Sequence, residues 1–224
     1  MATKAKTTTK TTAKAKITSK HIIDAYLKYV LTEGKQPPSV FKFANDLGMS
    51  EAEFYSHFTS FESIEKGVWE GLMGETLHVI EKDSNYESFN AREKLLSFYY
   101  THLEVLKGRR SFIMIRWTGL KESMKTPDAL KSYKEHFLKF AKRIVVEGIN
   151  GDEIKERSFI SDRYNQAFWL QLVFVIDFWV KDTSADFEQT DAAIEKAVNL
   201  SFELLSESTL DRAVDFVKFL WSTK

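Results

Sequence analysis

The side chains able to do chemistry are few, and their spacing argues more for binding than for catalysis. Five histidines stand at 21, 57, 78, 102 and 136, and no two are spaced as HxxxH or HExxH, so none has the helical spacing of a zinc pair. His102 and His136 could face each other across two helices, where a pair of core-edge histidines outweighs a metal site. Cysteine is absent, which removes thiolate ligands, disulfides and a thiol nucleophile. There is no GxSxG elbow and no glycine-rich phosphate cradle. Acidic residues such as Glu65 and Glu70 lie near Lys66, as on a solvated helix face. The expectation is a protein that is not an enzyme, with no cofactor and no metal.

Two charges stand out because their surroundings are apolar. Arg116 follows Phe112-Ile113-Met114-Ile115 and is a candidate partner for a ligand carboxylate, or else for a nearby Glu. Asp177 interrupts the apolar run from Phe168 to Val180, where a charge must be paired or reach solvent; a dimer-face or helix-end contact is expected.

The elements that must position these groups read as helices. Nine Gly and three Pro in 224 residues are too few for a turn-rich β fold, and the expectation is an all-α chain of about nine or ten helices. Residues 1–17 form a Lys/Thr/Ala tail with nothing to bury, expected to be disordered. From Thr18, Ile22, Tyr26, Tyr29 and Val30 recur at helical spacing; Gly34 and Pro37-Pro38 end that helix. Ser39–Leu47 and Ser50–Phe58 are two short helices around Gly48, and Ser50-Glu51-Ala52-Glu53 has the capping-box pattern. Thr59-Ser60-Phe61-Glu62 repeats it and opens a longer helix to about Glu81. Further helices are expected over 91–107, from Arg109 to about Met124, over 128–149, 161–181 and 188–207, and last over 208–224, opened by Ser208-Thr209-Leu210-Asp211. The interrupted run 168–180 is too short to span a bilayer, and a cytoplasmic protein is expected.

The segment SVFKFANDLGMSEAEFYSHFTSFESI, residues 39–64, resembles the helix-turn-helix of the TetR family of transcriptional regulators. Ala44, the Leu47-Gly48-Met49-Ser50 turn, Tyr55-x-His57-Phe58 and Glu62-x-Ile64 carry the likeness. The resemblance implies a three-helix DNA-binding head over 18–64 and a ligand-binding and dimerisation domain over 65–224. It implies a dimer placing one recognition helix per subunit in the major groove, and a bundle of the helices 161–181 and 188–207 holding the dimer. Residues implied at DNA are Ser39, Lys42, Ser50, Glu51, Glu53, Tyr55, His57 and Lys66, with Lys14, Lys16 and Lys20 in a basic arm. Those implied around an apolar small molecule or lipid are Phe98, Tyr99, His102, Phe112, Arg116, Trp117, Tyr133, Phe137, Phe168, Trp169 and Leu172. Phe174, Asp177, Phe178, Ile194, Val198 and Phe202 are implied at the dimer interface.

The charge pattern departs from the family. Residues 21–70 hold four Lys, no Arg and eight carboxylates, a net −4, while the six Lys of residues 1–20 bring residues 1–70 to +2. Affinity for DNA rests largely on neutralised phosphates, so the arm would have to supply what the head lacks. Glu53 replaces a small hydroxyl residue and Phe61 a Lys of the family pattern. Glu53 is expected as a capping residue that repels phosphate, though it can accept from a cytosine amino group. The alternative is a TetR-fold carrier of lipid or another hydrophobic ligand that has lost specific DNA binding. A lipid-binding accessory protein of ubiquinone biosynthesis has that fold without being a repressor, and Trp179-x-x-Asp182-Thr183-Ser184 and the last helix are loosely similar to it. The apolar face of that helix, with Phe216, Phe219, Leu220 and Trp221, is expected to pack on its own domain, contact with a membrane surface or a partner being the alternative.

Overall fold

The computed structural model describes residues 17–117, 126–157, 163–206 and 219. Among them are nine α-helices and no strand: α1 Ser19–Glu33, α2 Val40–Asp46, α3 Glu51–His57, α4 Phe61–Glu81, α5 Ala91–Lys107, α6 Arg110–Arg116, α7 Lys131–Asn150, α8 Tyr164–Lys181 and α9 Glu188–Ser206. Lys14, Lys16 and, apart from residue 219, the expected helix 208–224 lie outside the described residues, as does the part of the 109–124 segment beyond 117.

The helix ends follow local chemistry. Thr18 Oγ1 accepts the His21 N–H at 3.3 Å, and Gly34 closes α1 at φ 67, returning its N–H to Val30. Ser39 Oγ accepts the Lys42 N–H at 3.1 Å. Gly48, at φ 70, provides the left-handed residue of the turn between α2 and α3. Ser50 and Glu53 form the expected capping box. At α4 the pattern shifts by one residue: Ser60, not Thr59, is the cap, reciprocated by Ser63 and not by Glu62. That register leaves Phe61 free to turn into the core, where it is 7% exposed.

Two aromatic clusters organise the interior. In the head, Phe61 stacks on Tyr26 at 5.4 Å and meets Phe43 and Phe54 edge-on at 5.4 and 5.8 Å. Phe61 thereby adds a fourth ring to the core that Tyr26, Phe43 and Phe54 form, at a position where the family pattern has a Lys. In the larger part, α4, α5 and α7 pack together, α8 lies against α7, and α9 bridges α5 and α8. Phe98, Phe137, Phe140 and Trp169 interlock at its centre, the closest rings being Phe98 and Phe140 at 4.6 Å. α4 runs through both clusters as one unbroken helix.

Candidate functional site

The helix–turn–helix is built from α2 and α3, with α1 and α4 clasping it from behind. Ser39 caps α2, and Ser50 with Glu53 caps α3. Glu53 Oε2 accepts the Ser50 N–H at 2.7 Å and the Ser50 hydroxyl at 3.0 Å. Phe54 is fully buried, whereas Glu51, Ala52, Tyr55 and Ser56 face outward. The His57 Nδ1 lies 2.9 Å from the Ser19 hydroxyl, tying the end of α3 to α1. Lys20 and Lys42 form exposed ion pairs with Asp24 and Asp46, each at 3.2 Å, and Lys66 is exposed on α4. Among the described residues, the expected phosphate-contacting lysines, Lys20, Lys42 and Lys66, are thus at the surface, the first two beside carboxylates that lower their local field.

Glu65 overturns the expectation of a solvated carboxylate. It lies on the face of α4 that carries Phe61, Ile64, Val68, Trp69 and Leu72 and is 4% exposed. The Tyr26 hydroxyl donates to its Oε1. Arg116 Nη2 donates to Oε2 at 3.0 Å, and Nε lies 2.8 Å from Oε1. Burial, then the hydrogen bond to Glu65, push the Tyr26 phenol upward, so it stays a donor. Arg116 therefore has the protein's own carboxylate as partner, and α1, α4 and α6 meet at one buried charge pair. The pair borders a cleft of about 470 Å³ between α3, α4 and the turn at 127–130, and among the expected ligand residues Arg116 alone lines it.

α6 is tied to α8 at both ends. Arg110 Nη1 donates to the Trp179 carbonyl at 2.8 Å, and its guanidinium stacks over Trp179 and Phe187, each at 4.4 Å. Trp117 Nε1 donates to Asp177 Oδ1 at 2.5 Å. The intrahelical charge at Asp177 is thus paired with an indole. Asp182 opens the next segment: burial works against its ionisation, but the hydroxyls and N–H groups of Ser184 and Thr190 outweigh this and hold its carboxyl at about 2.

The remaining expected ligand residues form a continuous aromatic core. Phe98, Tyr99, His102, Phe112, Tyr133, Phe137, Phe168, Trp169 and Leu172 are all buried, with Trp117 at their edge, 5.8 Å from Trp69. One ordered chain of hydrogen bonds threads it. The Thr76 hydroxyl donates to the Leu72 carbonyl at 2.9 Å, so His102 Nδ1–H donates to Thr76 Oγ1 at 2.8 Å, and the Tyr133 hydroxyl donates to Nε2 at 2.5 Å. Each polar atom in the chain is satisfied by one tautomer. Burial pushes His102 down to about 3, and the ring is neutral at pH 7. Both ring nitrogens of His102 are thus taken by Thr76 and Tyr133, while His136 Nδ1 lies 2.9 Å from the Ser132 carbonyl oxygen; among the described residues no group of three metal-ligating side chains occurs. Tyr99 donates to Gln171 at 3.0 Å, and Gln171 donates to Ser201 at 2.9 Å, linking α5, α8 and α9.

The expected dimer residues separate into two sets. Phe174, Asp177 and Phe178 border a surface hollow of about 400 Å³ on α8, and Phe174 is 47% exposed. Ile194, Val198 and Phe202 are fully buried inside the chain itself and present nothing to a partner. They recur at helical spacing because they are the core stripe of α9; among the described residues, the large apolar side chains exposed on the two helices are Leu170, Phe174, Leu200 and Leu204.

An all-helical chain with a capped helix–turn–helix on an aromatic helical body is the architecture of a one-component transcription regulator. Residues 94–220 match the tetracyclin repressor-like C-terminal domain, and the chain belongs to that family. Similar solved structures are the regulator FadR from Bacillus subtilis in complex with stearoyl-CoA (24% identity, 81% of this chain and 96% of that one, TM-score 0.60) and the fatty acid degradation regulator FadR from Bacillus halodurans (21% identity, 81% and 96%, TM-score 0.59). A bacterial regulatory protein of the tetR family from Rhodococcus RHA1 is similar as well (15% identity, 84% and 96%, TM-score 0.54). No curated protein matches the sequence. Among the described residues, no helix is long and apolar enough to cross a membrane.

Proposed function

We propose that this protein is a dimeric, DNA-binding transcription regulator of the cytoplasm whose affinity for its operator is set by an apolar small molecule or lipid, and that it has no catalytic activity. The observation that carries this reading is the helix–turn–helix itself: a capped α3 that buries Phe54 and turns Glu51, Ala52, Tyr55 and Ser56 outward. The head over 18–64 reads DNA, and 65–224 holds effector and partner. α8 and α9 pair through Leu170, Phe174, Phe178, Leu200 and Leu204. An effector enters among Phe98, Tyr99, Phe137, Phe168 and Trp169, where separating rings replaces one apolar contact by another. Stearoyl-CoA, which the B. subtilis relative holds, is the first compound to test.

The net −4 of residues 21–70 favours a second reading, a carrier of hydrophobic ligands without an operator. Fluorescence anisotropy of the full chain on its own upstream duplex and on an unrelated duplex, over a salt series, separates the two. A preference of at least about a hundredfold supports the regulator. Weak and equal binding, lost when residues 1–16 are removed, supports the carrier.

A further inference from the structure

A side chain of a recognition helix reads a base only if it is exposed and its polar atoms are not already committed to the protein. α3 commits most of its own. Glu53 accepts from the N–H and hydroxyl of Ser50, and Ser50 Oγ accepts the Glu53 N–H at 3.2 Å. The Ser56 hydroxyl donates back to the Glu53 carbonyl at 2.6 Å, and His57 meets Ser19. Tyr55 rests its ring on Phe54 and lines the cleft beside α4. That leaves the hydroxyl of half-exposed Tyr55, which can both donate and accept and so discriminates little between bases, and Glu51, exposed one turn away from the buried Phe54; among the described residues no hydrogen bond or ion pair involves either.

An ionised carboxylate only accepts hydrogen bonds. In the major groove guanine offers two acceptors, thymine an acceptor and a methyl group, and adenine a donor with an acceptor beside it; cytosine offers a lone amino donor. We infer that Glu51 reads a cytosine in each operator half-site, and that Glu53, to which sequence alone gives this chemistry, is held out of base reading by its cap. This inference rests on the DNA-binding reading above. The same carboxylate penalises the other three bases, so it gives discrimination while adding nothing to affinity for the backbone.

The test is selection of bound duplexes from a random pool by the full-length chain and by Glu51→Gln, followed by affinity measurements on the selected site. Wild type should retain one C·G pair per half-site, and changing it should weaken binding by about five- to a hundredfold. Since an amide donates and accepts, Glu51→Gln should move that position toward A·T while leaving the rest of the site as it was. A selected site whose every position is the same for both proteins overturns the inference and leaves the regulator intact. If neither protein enriches any sequence, the regulator reading falls, and the inference with it.

Discussion

Replacing Arg116 by Met should destabilise the protein far more than its partly exposed side chain suggests. Glu65 is 5% exposed at its side chain and Arg116 29%, so the two ends of the pair are not equivalent. In Arg116→Met the carboxylate keeps only the Tyr26 hydroxyl and stands uncompensated in the core. Removing one partner of a buried pair costs about 3–5 kcal/mol, roughly 6–20 °C in Tm for a chain of this size. Glu65→Gln should cost less, about 1–2 kcal/mol, because the guanidinium can turn to solvent through the adjoining cleft while the amide keeps the Tyr26 bond. The double variant Glu65→Gln/Arg116→Met buries no charge and should recover at least half of the single Arg116→Met loss. Urea unfolding at pH 7, followed by circular dichroism, gives all three values, and hydrogen exchange on α1 reports whether the head loosens first. An Arg116→Met cost below about 1 kcal/mol, or a double variant no better than the sum of the singles, would refute the idea that an uncompensated Glu65 charge is what the pair prevents.

Other outcomes follow from the same geometry. His102 is neutral when folded, at about 3, against about 6.5 in the unfolded chain; its contribution is fully present above pH 6.5 and declines by about 1.4 kcal/mol per unit as pH falls between those values, a slope that His102→Gln should remove in a pH series of urea midpoints. In the proposed dimer, Phe174→Asp with Leu200→Asp should give a folded monomer by sedimentation, each side chain taking about 1.5–3 kcal/mol from the proposed pairing, whereas Val198→Asp, at a position with 0% exposure, should leave no folded chain. Deleting residues 1–16 removes five lysines; if they contact phosphates, the slope of log affinity against log salt should flatten by up to about 4 to 5, and an unchanged slope would exclude the arm from the DNA.

Much of the architecture was legible in the sequence because its causes are local. Ser39, Gly48 and Ser50 cap or turn the chain with neighbours a few residues away, and the 3.6-residue recurrence of Leu95, Phe98, Tyr99 and His102 declares a buried stripe whatever lies opposite it. Local rules place the α4 start one residue early, since Thr59 and Ser60 are both competent caps; the Ser60–Ser63 capping box and the packing of Phe61 on Tyr26 go with the later start. Glu65 does carry a signal in the sequence: it falls in register with Phe61, Val68, Trp69 and Leu72, and a charge on that face requires a partner.

What sequence alone determined was therefore the helices, the head and the amphipathic faces, each governed by contacts within a turn or two of chain. Which face of α9 is core and which is free depends on what α5 and α8 bring against it, so Ile194, Val198 and Phe202 could be recognised as a stripe but not assigned to the protomer interior. Nor could any local rule pair Arg116 with Glu65, Trp117 with Asp177, or His102 with Thr76 and Tyr133. Those partners stand 51, 60, 26 and 31 residues apart, and only tertiary packing brings their dipoles and charges within reach, where the low dielectric of the core makes each pairing obligatory.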